Sequence, residues 1–378
     1  MDYVKGKLYF KNISDIKYKY NTLTKDVKCD VLVIGAGITG ALTAYYHAIK
    51  GHKVVIIDKN IVGYSSTLAT TAIMEYQVDK DIYKLKKEIG YKNAIKIFSL
   101  CNDAIDEIEK ICKMLPSNIN FKRCDSIYFT NKRSHIKNLE KEYNERLSLD
   151  MDLSIGVSNN VINSKKYISA HNKSATMNPY IFTSELINYL CENYNVCVYE
   201  NTEFKDYICN NDNIVIKTNN NFYINSKKCI IATGFNARKF VKNVKYYNTY
   251  TIVSDNVDIK NTNFTARDMN NPYHYIRFDD GKIILGGEDV LENSIVFPKM
   301  KYKKLENYMK KIFNLKDIKI NYRYNGTFAN TKDTLPIIDL IDNNLYCNLG
   351  YGANGILYAT IGAKLLSSNK LDSIFKNR

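Results

Sequence analysis

Apolar residues along this chain change their spacing from segment to segment, and each change marks an element. Residues 31–34 and 54–57 are short unbroken apolar runs, Val-Leu-Val-Ile and Val-Val-Ile-Ile, of the kind that forms strands buried on both faces of a parallel sheet. One helix fits between them. Downstream, Ile95, Phe98, Ala104, Ile105, Ile108, Ile111 and Cys112 recur at helical spacing, predicting a helical region over 82–114 that Gly90 interrupts and Pro116 closes. A strand over 126–130 and a charged helix over 133–149 come next. Asn178-Pro179 introduces a helix over about 181–194, followed by a strand at 196–199. A meander through 214–217 and 222–224 leads to Cys229-Ile-Ile-Ala-Thr233-Gly234, a buried strand ending in a glycine turn. Strands at 273–278 and 282–285 flank the hairpin signal Asp279-Asp280-Gly281, and a strand at 345–349 precedes a helix over 356–366.

With 378 residues the chain exceeds what one hydrophobic core usually organises, so two domains are expected. No repeat or low-complexity linker separates them, which implies domains built from a chain that crosses back and forth. The net charge of +15 comes from lysines spread along the sequence, densest over 80–96, without a nucleic-acid-binding motif. Solvated faces explain it better than a nucleic-acid surface. Nine cysteines, an odd number with no CxxC, suit scattered reduced thiols, and the five histidines have no ligand spacing, so no metal is expected. No apolar run reaches membrane-spanning length and the first residues contain no signal-peptide core, so the expected location is the cytoplasm, away from any membrane.

The candidate chemistry begins in the turn between the first two apolar strands, Gly35-Ala36-Gly37-Ile38-Thr39-Gly40. Gly35 permits a tight turn, Gly37 lets backbone approach a pyrophosphate, and Gly40 lets the helix pack closely on the sheet. The phosphates would meet a helix N-terminus, where unpaired N–H groups and the helix dipole favour negative charge. Asp58, followed by Lys59, ends the second strand, where a carboxylate can accept hydrogen bonds from ribose hydroxyls. Next comes the hydroxyl-rich segment Ser65, Ser66, Thr67, Thr70 and Thr71, which can cap a helix, bind phosphate or ribityl oxygens, or do both. Near the C-terminus, Gly350-Tyr-Gly352-Ala353-Asn354-Gly355 repeats the GxGxxG spelling, but too little chain follows it for a second strand ending in an acid. What survives is a glycine-permitted approach of a helix N-terminus to an anionic or electron-rich group. One full fingerprint plus one such helix start favours a single long cofactor, FAD, over NAD.

These blocks, with Ile230 to Gly234 and Gly326-Thr-Phe-Ala-Asn-Thr331-Lys-Asp333-Thr-Leu-Pro336, resemble the FAD-dependent oxidoreductases of the D-amino acid oxidase superfamily, which includes glycine oxidase and sarcosine oxidase. The resemblance implies an α/β fold: a doubly wound Rossmann-type FAD domain from 25–80, 165–240 and 325–378, a second antiparallel-sheet substrate domain from 81–164 and 241–324, and a lead-in at 1–24. It implies FAD contacts at Thr233, Gly234 and Gly326, and at Gly352, Ala353, Asn354, Gly355 and Ile356, where the helix start faces the flavin pyrimidine edge. It also implies hydride transfer from a C–H beside an amine nitrogen to flavin N5. Family members carry a carboxylate-binding arginine where this chain has Phe328, and a second basic residue where it has Ala353. Sarcosine oxidase-like members attach flavin through a cysteine at the position of Gly326, so attachment here should be non-covalent. A replacement anchor is read in the hairpin, where Tyr273, Tyr275 and Arg277 share one face of a strand and would offer a guanidinium fork between phenols. The alternative for Arg277 is an ion pair with Glu288 or Asp279. The expected function is therefore FAD-dependent oxidation of a C–N bond in a small amine or amino-acid-like molecule. Alternatives are a flavoprotein acting on modified transfer RNA, a subunit of a larger dehydrogenase, and an NAD-dependent dehydrogenase. An oligomer or a partner subunit is compatible with each.

Overall fold

A computed structural model describes residues 4–157, 160–242 and 244–375. The two apolar runs are buried throughout, and their side chains alternate between two cores. Val31, Val33, Val54 and Ile56 join the core shared with the helices Ile38–Ala48, Pro179–Asn193 and Gly355–Ser367. Leu32, Ile34, Val55 and Ile57 join the other, which the antiparallel strands Phe204–Cys209 and Ile214–Thr218 help to cover. A strand with period-2 side chains and an apolar layer on each face has no polar position to offer, hence the unbroken runs.

These strands belong to an eight-stranded sheet ordered Ile337–Asp342, Leu345–Leu349, Tyr223–Ile231, Val27–Ile34, Val54–Ile57, Val196–Tyr199, with the Phe204–Cys209 and Ile214–Thr218 pair attached to Tyr223–Ile231. From Leu345–Leu349 to Val196–Tyr199 all pairings are parallel. The loops after residues 34, 57, 231 and 349 therefore open on one edge, the carboxyl edge where α/β sheets bind ligands.

A second sheet, ten-stranded, runs Lys5–Gly6, Ile320–Asn330, Lys245–Asn256, Lys282–Leu291, Tyr275–Asp279, Phe264–Asp268, Lys122–Thr130, Lys166–Thr176, Ile73–Glu75, with Leu153–Gly156 beside Lys166–Thr176. It is antiparallel except where Phe264–Asp268 runs parallel to Lys122–Thr130. One face packs on the helix Pro298–Ile312 through Leu305, Met309 and Ile312. Residues 73–75, 166–176 and 325–330, expected in the nucleotide-binding unit, pair in this second sheet instead. The two longer segments mix apolar residues with Ser, Thr, Asn, Lys and His, which suits a sheet with one wetted face. The lead-in is also structured: Lys5–Gly6 is an edge strand, and the helix Tyr9–Ile13 buries Tyr9 and Phe10.

Local signals hold where they are strong. The predicted helical region splits at Gly90, whose φ of +83° ends Ile82–Ile89 before Tyr91–Met114 begins. Asn178 caps Pro179–Asn193, its Oδ1 accepting from the Tyr180 and Ile181 N–H groups at 3.1 Å each. In the hairpin, Asp280 and Gly281 take φ of +47° and +71° between the paired residues Asp279 and Lys282, as a twist-matched two-residue turn requires. No helix among the described residues is long and apolar enough to cross a membrane.

Candidate active site

A cavity of about 850 Å³ lies at the carboxyl edge of the first sheet and runs between it and the second. At its nucleotide end Gly35 has φ +112°, and a Cβ there would stand 2.6 Å from the Ala232 carbonyl oxygen. A Cβ on Gly40 would strike the Gly35 carbonyl, so Gly40 acts by packing and does not line the cavity. Gly37, Ile38 and Thr39 do line it, at a helix start with no side-chain cap. The Ile38 N–H donates to Thr67 Oγ1 at 3.1 Å, and the other first-turn N–H groups are left for an anion. Asp58 lines the same end with Lys59. Its oxygens accept from the Ala36 and Asn60 N–H groups at 2.8 and 2.7 Å, which orients the carboxylate and leaves a lone pair on each for hydroxyl donors. Burial raises the Asp58 carboxyl above its ordinary range despite those donors.

The hydroxyl segment follows as the short helix Ser66–Ala69, entered through Ser65 at φ +84°. Ser65, Ser66, Thr67, Thr70 and Thr71 all line the cavity. Thr67 is already engaged by Ile38, and Thr70 Oγ1 accepts from the Ala72 N–H at 3.1 Å, so structural and ligand-facing roles coincide in one segment. Thr233 and Gly234 line the wall opposite, and Thr233 Oγ1 is buried without a hydrogen bond. An orphaned hydroxyl and a helix start capped only at Ile38 are the polar lining that a diphosphate and ribityl chain would complete.

At the far end the second glycine turn meets the cavity through Gly352, Ala353, Asn354, Gly355 and Ile356. Gly352 takes φ +81°, and the Asn354 amide donates to the Glu75 and Gln77 carbonyls at 3.1 and 2.7 Å, tying the helix Gly355–Ser367 to the second sheet. Gly326 also lines the cavity, and a Cβ on it would come within 2.8 Å of the Ala69 methyl. Phe328 lies beside it, stacked on Tyr247 with centroids 5.6 Å apart.

Arg277 is not where the hairpin reading puts it. It shares its strand face with Tyr275, which lines the cavity together with Tyr273 just ahead of the strand Tyr275–Asp279, but lies beyond them, 1% exposed, against the Phe10 ring of the helix Tyr9–Ile13. Its Nη1 donates to the Thr71 and Met177 carbonyls at 2.9 Å, and its Nη2 pairs with Asp279 at 3.2 Å. The alternative pairing with Asp279 thus prevails, because a buried guanidinium must satisfy its donors wherever carbonyls converge. The arginine that lines the cavity is Arg267, on the adjacent strand and register-paired with Tyr275. It is 5% exposed, lies over the Tyr128 and Tyr273 rings, and meets Asp79 only at 3.7 Å.

Glu75, Gln77 and Asp289 also line this end. Asp79 accepts from the Tyr273 hydroxyl at 2.8 Å and from the Ala353 N–H at 3.0 Å, joining the sheet to the C-terminal helix start. Glu75 is held by the Thr265 hydroxyl at 2.5 Å and the Gln77 amide at 2.6 Å. Burial and the nearby Asp79 push the Asp289 carboxyl up to about 6, against a hydrogen bond from Thr249. Burial likewise raises the Tyr273 and Tyr275 phenols. The sequence carried one unread signal for this cluster. Glu75, Gln77 and Asp79 alternate with Tyr76 and Val78, the period-2 pattern of a strand with one polar face. Among the described residues no group of three or more His, Cys, Asp and Glu could hold a metal ion.

The chain is similar to several known proteins. It is 29% identical over 147 residues to the Rieske 2Fe-2S iron-sulfur protein YhfW of Bacillus subtilis, covering 38% of this chain and 29% of that relative's length. It is 22% identical to the gamma-glutamylputrescine oxidoreductase of Escherichia coli over 380 residues, 92% of this chain and 85% of that one. Its fold matches the crystal structure of L-proline dehydrogenase from P. horikoshii with a TM-score of 0.77 at 18% identity, over 92% and 95% of the two chains. Residues 30–368 match the family model for FAD dependent oxidoreductase, DAO, and with the cavity that joins its two glycine turns the chain belongs to that family.

Proposed function

We propose that the protein holds FAD non-covalently and oxidises a C–N bond of a small amine or amino-acid-like molecule. FAD, when bound, would supply the two-electron acceptor, with N5 as the atom open to hydride. Gly35 to Thr39 and Asp58 would hold the adenosine diphosphate portion. The hydroxyl segment and Thr233 would hold the linking chain, and the N–H groups at Ala353 to Ile356 the electron-rich end of the flavin. Non-covalent attachment is supported by the cavity lining, which includes no cysteine or histidine among the described residues. Names of similar proteins, gamma-glutamylputrescine oxidoreductase and L-proline dehydrogenase, support amines as the substrate class.

The observation that carries the reading is Arg267. A buried guanidinium whose ion-pair contact is Asp79 at 3.7 Å, facing a cavity between tyrosines, is a preformed fork for a substrate carboxylate or comparable anion. It stands in for the family arginine whose position is Phe328. The test is purification followed by anaerobic titration with a panel of amines and amino acids. The expected result is a yellow protein whose flavin is bleached by some of them, with Arg267→Gln raising KM for carboxylate-bearing substrates by about 10- to 100-fold, the range set by a charge-assisted hydrogen bond. A preparation that stays colourless with added FAD would sink the proposal. The similarity to a Rieske protein favours a second reading, in which electrons leave for an iron-sulfur partner; fast reoxidation by oxygen alone would dismiss it.

A further inference from the structure

The strand Lys282–Leu291 changes register where it reaches the cavity. Gly286 pairs with Tyr275 on one side and Thr251 on the other, and Gly287 pairs with Tyr250, but Asn248 pairs with Val290. Glu288 and Asp289 thus oppose the single residue Thr249, the two-against-one count of a β-bulge. Gly287 and Glu288 take φ of +143° and +59° to make it, the second an uncommon conformation for a residue with a side chain. Without the bulge, period-2 alternation would place residue 288 on the face of Gly286 and Tyr275 and turn residue 289 away. With it, Glu288 turns outward to Lys301 at 3.0 Å, Lys304 at 3.6 Å and His274 Nε2 at 3.8 Å. Asp289 turns inward and lines the cavity.

What the bulge delivers there is a carboxylate with one unsatisfied oxygen. Asp289 Oδ1 is buried and has no hydrogen bond, while the neighbouring Thr249 and Tyr275 hydroxyls pair with each other at 2.7 Å. The same cavity wall holds Glu75 as well as Asp289 against the single guanidinium of Arg267, with Asp79 behind it at 3.7 Å from Arg267, so at this end carboxylates outnumber cations. A strained backbone that places an acid with one buried, unpartnered oxygen in a ligand cavity points to a ligand that supplies the missing donor.

We propose that Asp289 recognises the protonated amine of the substrate and takes its proton, so that the enzyme selects substrates that arrive as ammonium ions. This rests on the reading that the cavity oxidises amines. In the step, one N–H bond of the ammonium breaks, its electron pair remains on nitrogen as the lone pair of the free amine, and the proton forms an O–H bond with Asp289. No electrons are exchanged with the protein. The free amine is the form from which a hydride can leave the adjacent carbon. A carboxyl raised to about 6 is suited to holding that proton and releasing it near neutral pH. The groups that set it come from several elements: Asp79 raises it, whereas Thr249, His274 and Lys301 lower it.

The test uses the FAD-loaded protein and tert-butylamine, which carries a cation but has no hydrogen on the carbon beside nitrogen and so cannot be oxidised. Binding is followed by calorimetry and by perturbation of the flavin spectrum, with tert-butanol as the uncharged control. The wild type is expected to prefer the amine, and to lose that preference as the pH falls below about 6, where the raised carboxyl protonates. Asp289→Asn should weaken amine binding at least tenfold with the flavin retained, and Asp289→Glu should restore part of it. Equal binding of amine and alcohol by the wild type, or unchanged amine binding by Asp289→Asn, overturns the proposal. If Asp289→Asn fails to hold FAD, the wild-type pH profile and Asp289→Glu decide instead, and a profile flat from pH 5 to 8 counts against it. Turnover of oxidisable amines is scored separately. Turnover with no role for Asp289 defeats this inference alone, and Asp289-dependent binding without any turnover defeats the amine-oxidation reading alone.

Discussion

Two arginines on adjacent strands, Arg267 and Arg277, do different work because of what converges on each. Around Arg277 the carbonyls of Thr71 and Met177 and the Asp279 carboxylate point inward, and the residue fastens the hydroxyl segment and the helix Pro179–Asn193 to the second sheet. Its removal would leave those acceptors buried and unpaired. Arg277→Ala is therefore expected to lower unfolding stability by about 3–5 kcal/mol, measured in denaturant, without a selective rise in KM. A stable variant with a specific KM defect would return Arg277 to the substrate. The difference between the two was not legible, since it depends on how far along the strand the cavity extends. Arg267 was hidden for a related reason: it sits within the buried strand Phe264–Asp268, whose pattern offers nothing to mark one polar side chain as facing a cavity. Asp289 could not be read at all, because alternation alone turns it the wrong way.

At the scale of elements, legibility followed the strength of the local signal. Unbroken apolar runs, the Asn178-Pro179 cap and the Asp280-Gly281 turn declare themselves through burial or backbone geometry that few other sequences satisfy. The strands Lys166–Thr176, Lys245–Asn256 and Ile320–Asn330 did not, because a Tyr-, Asn- and Thr-rich strand takes its identity from its partners across the sheet. The first glycine turn shows how narrow the tolerance is where an element serves a ligand. Gly40→Ala would force a methyl against the Gly35 carbonyl and push the helix Ile38–Ala48 off the strand end. We expect at least a tenfold loss of FAD affinity and about 1–3 kcal/mol of stability, read from flavin content and unfolding of the purified variant. A variant that purifies fully yellow would show that the turn can relax.

For the whole molecule, the cavity is bounded by both sheets, so a ligand that fills it adds contacts to two sheets that already share apolar core residues, Val33 and Ile56 of the first with Met74 and Ala175 of the second. Adding FAD to the apoprotein at about 100 times Kd should therefore stabilise the folded state by about 2.7 kcal/mol, seen as a higher Tm; an unchanged Tm would mean that no tight complex forms. The second, antiparallel sheet was expected from the family resemblance, but the changeover between sheets was not. Beyond the edge strand Lys5–Gly6, the chain enters the second sheet at residue 73, returns to the first after residue 176, re-enters the second at residue 245 and leaves it again after residue 330. Nothing local marks those crossings.

The parallel order of the first sheet also bears on how the protein is made. Val27–Ile34 lies between Val54–Ile57 and Tyr223–Ile231, and Leu345–Leu349 completes the row beside Tyr223–Ile231. The cavity uses residues from Val4 to Ile356. No growing chain can possess that cavity until residue 356 has been made and has left the ribosome, so a cofactor that needs the whole lining is acquired only after the helix Gly355–Ser367 exists. A premature stop shortly before the last helix would remove the flavin site along with the helix.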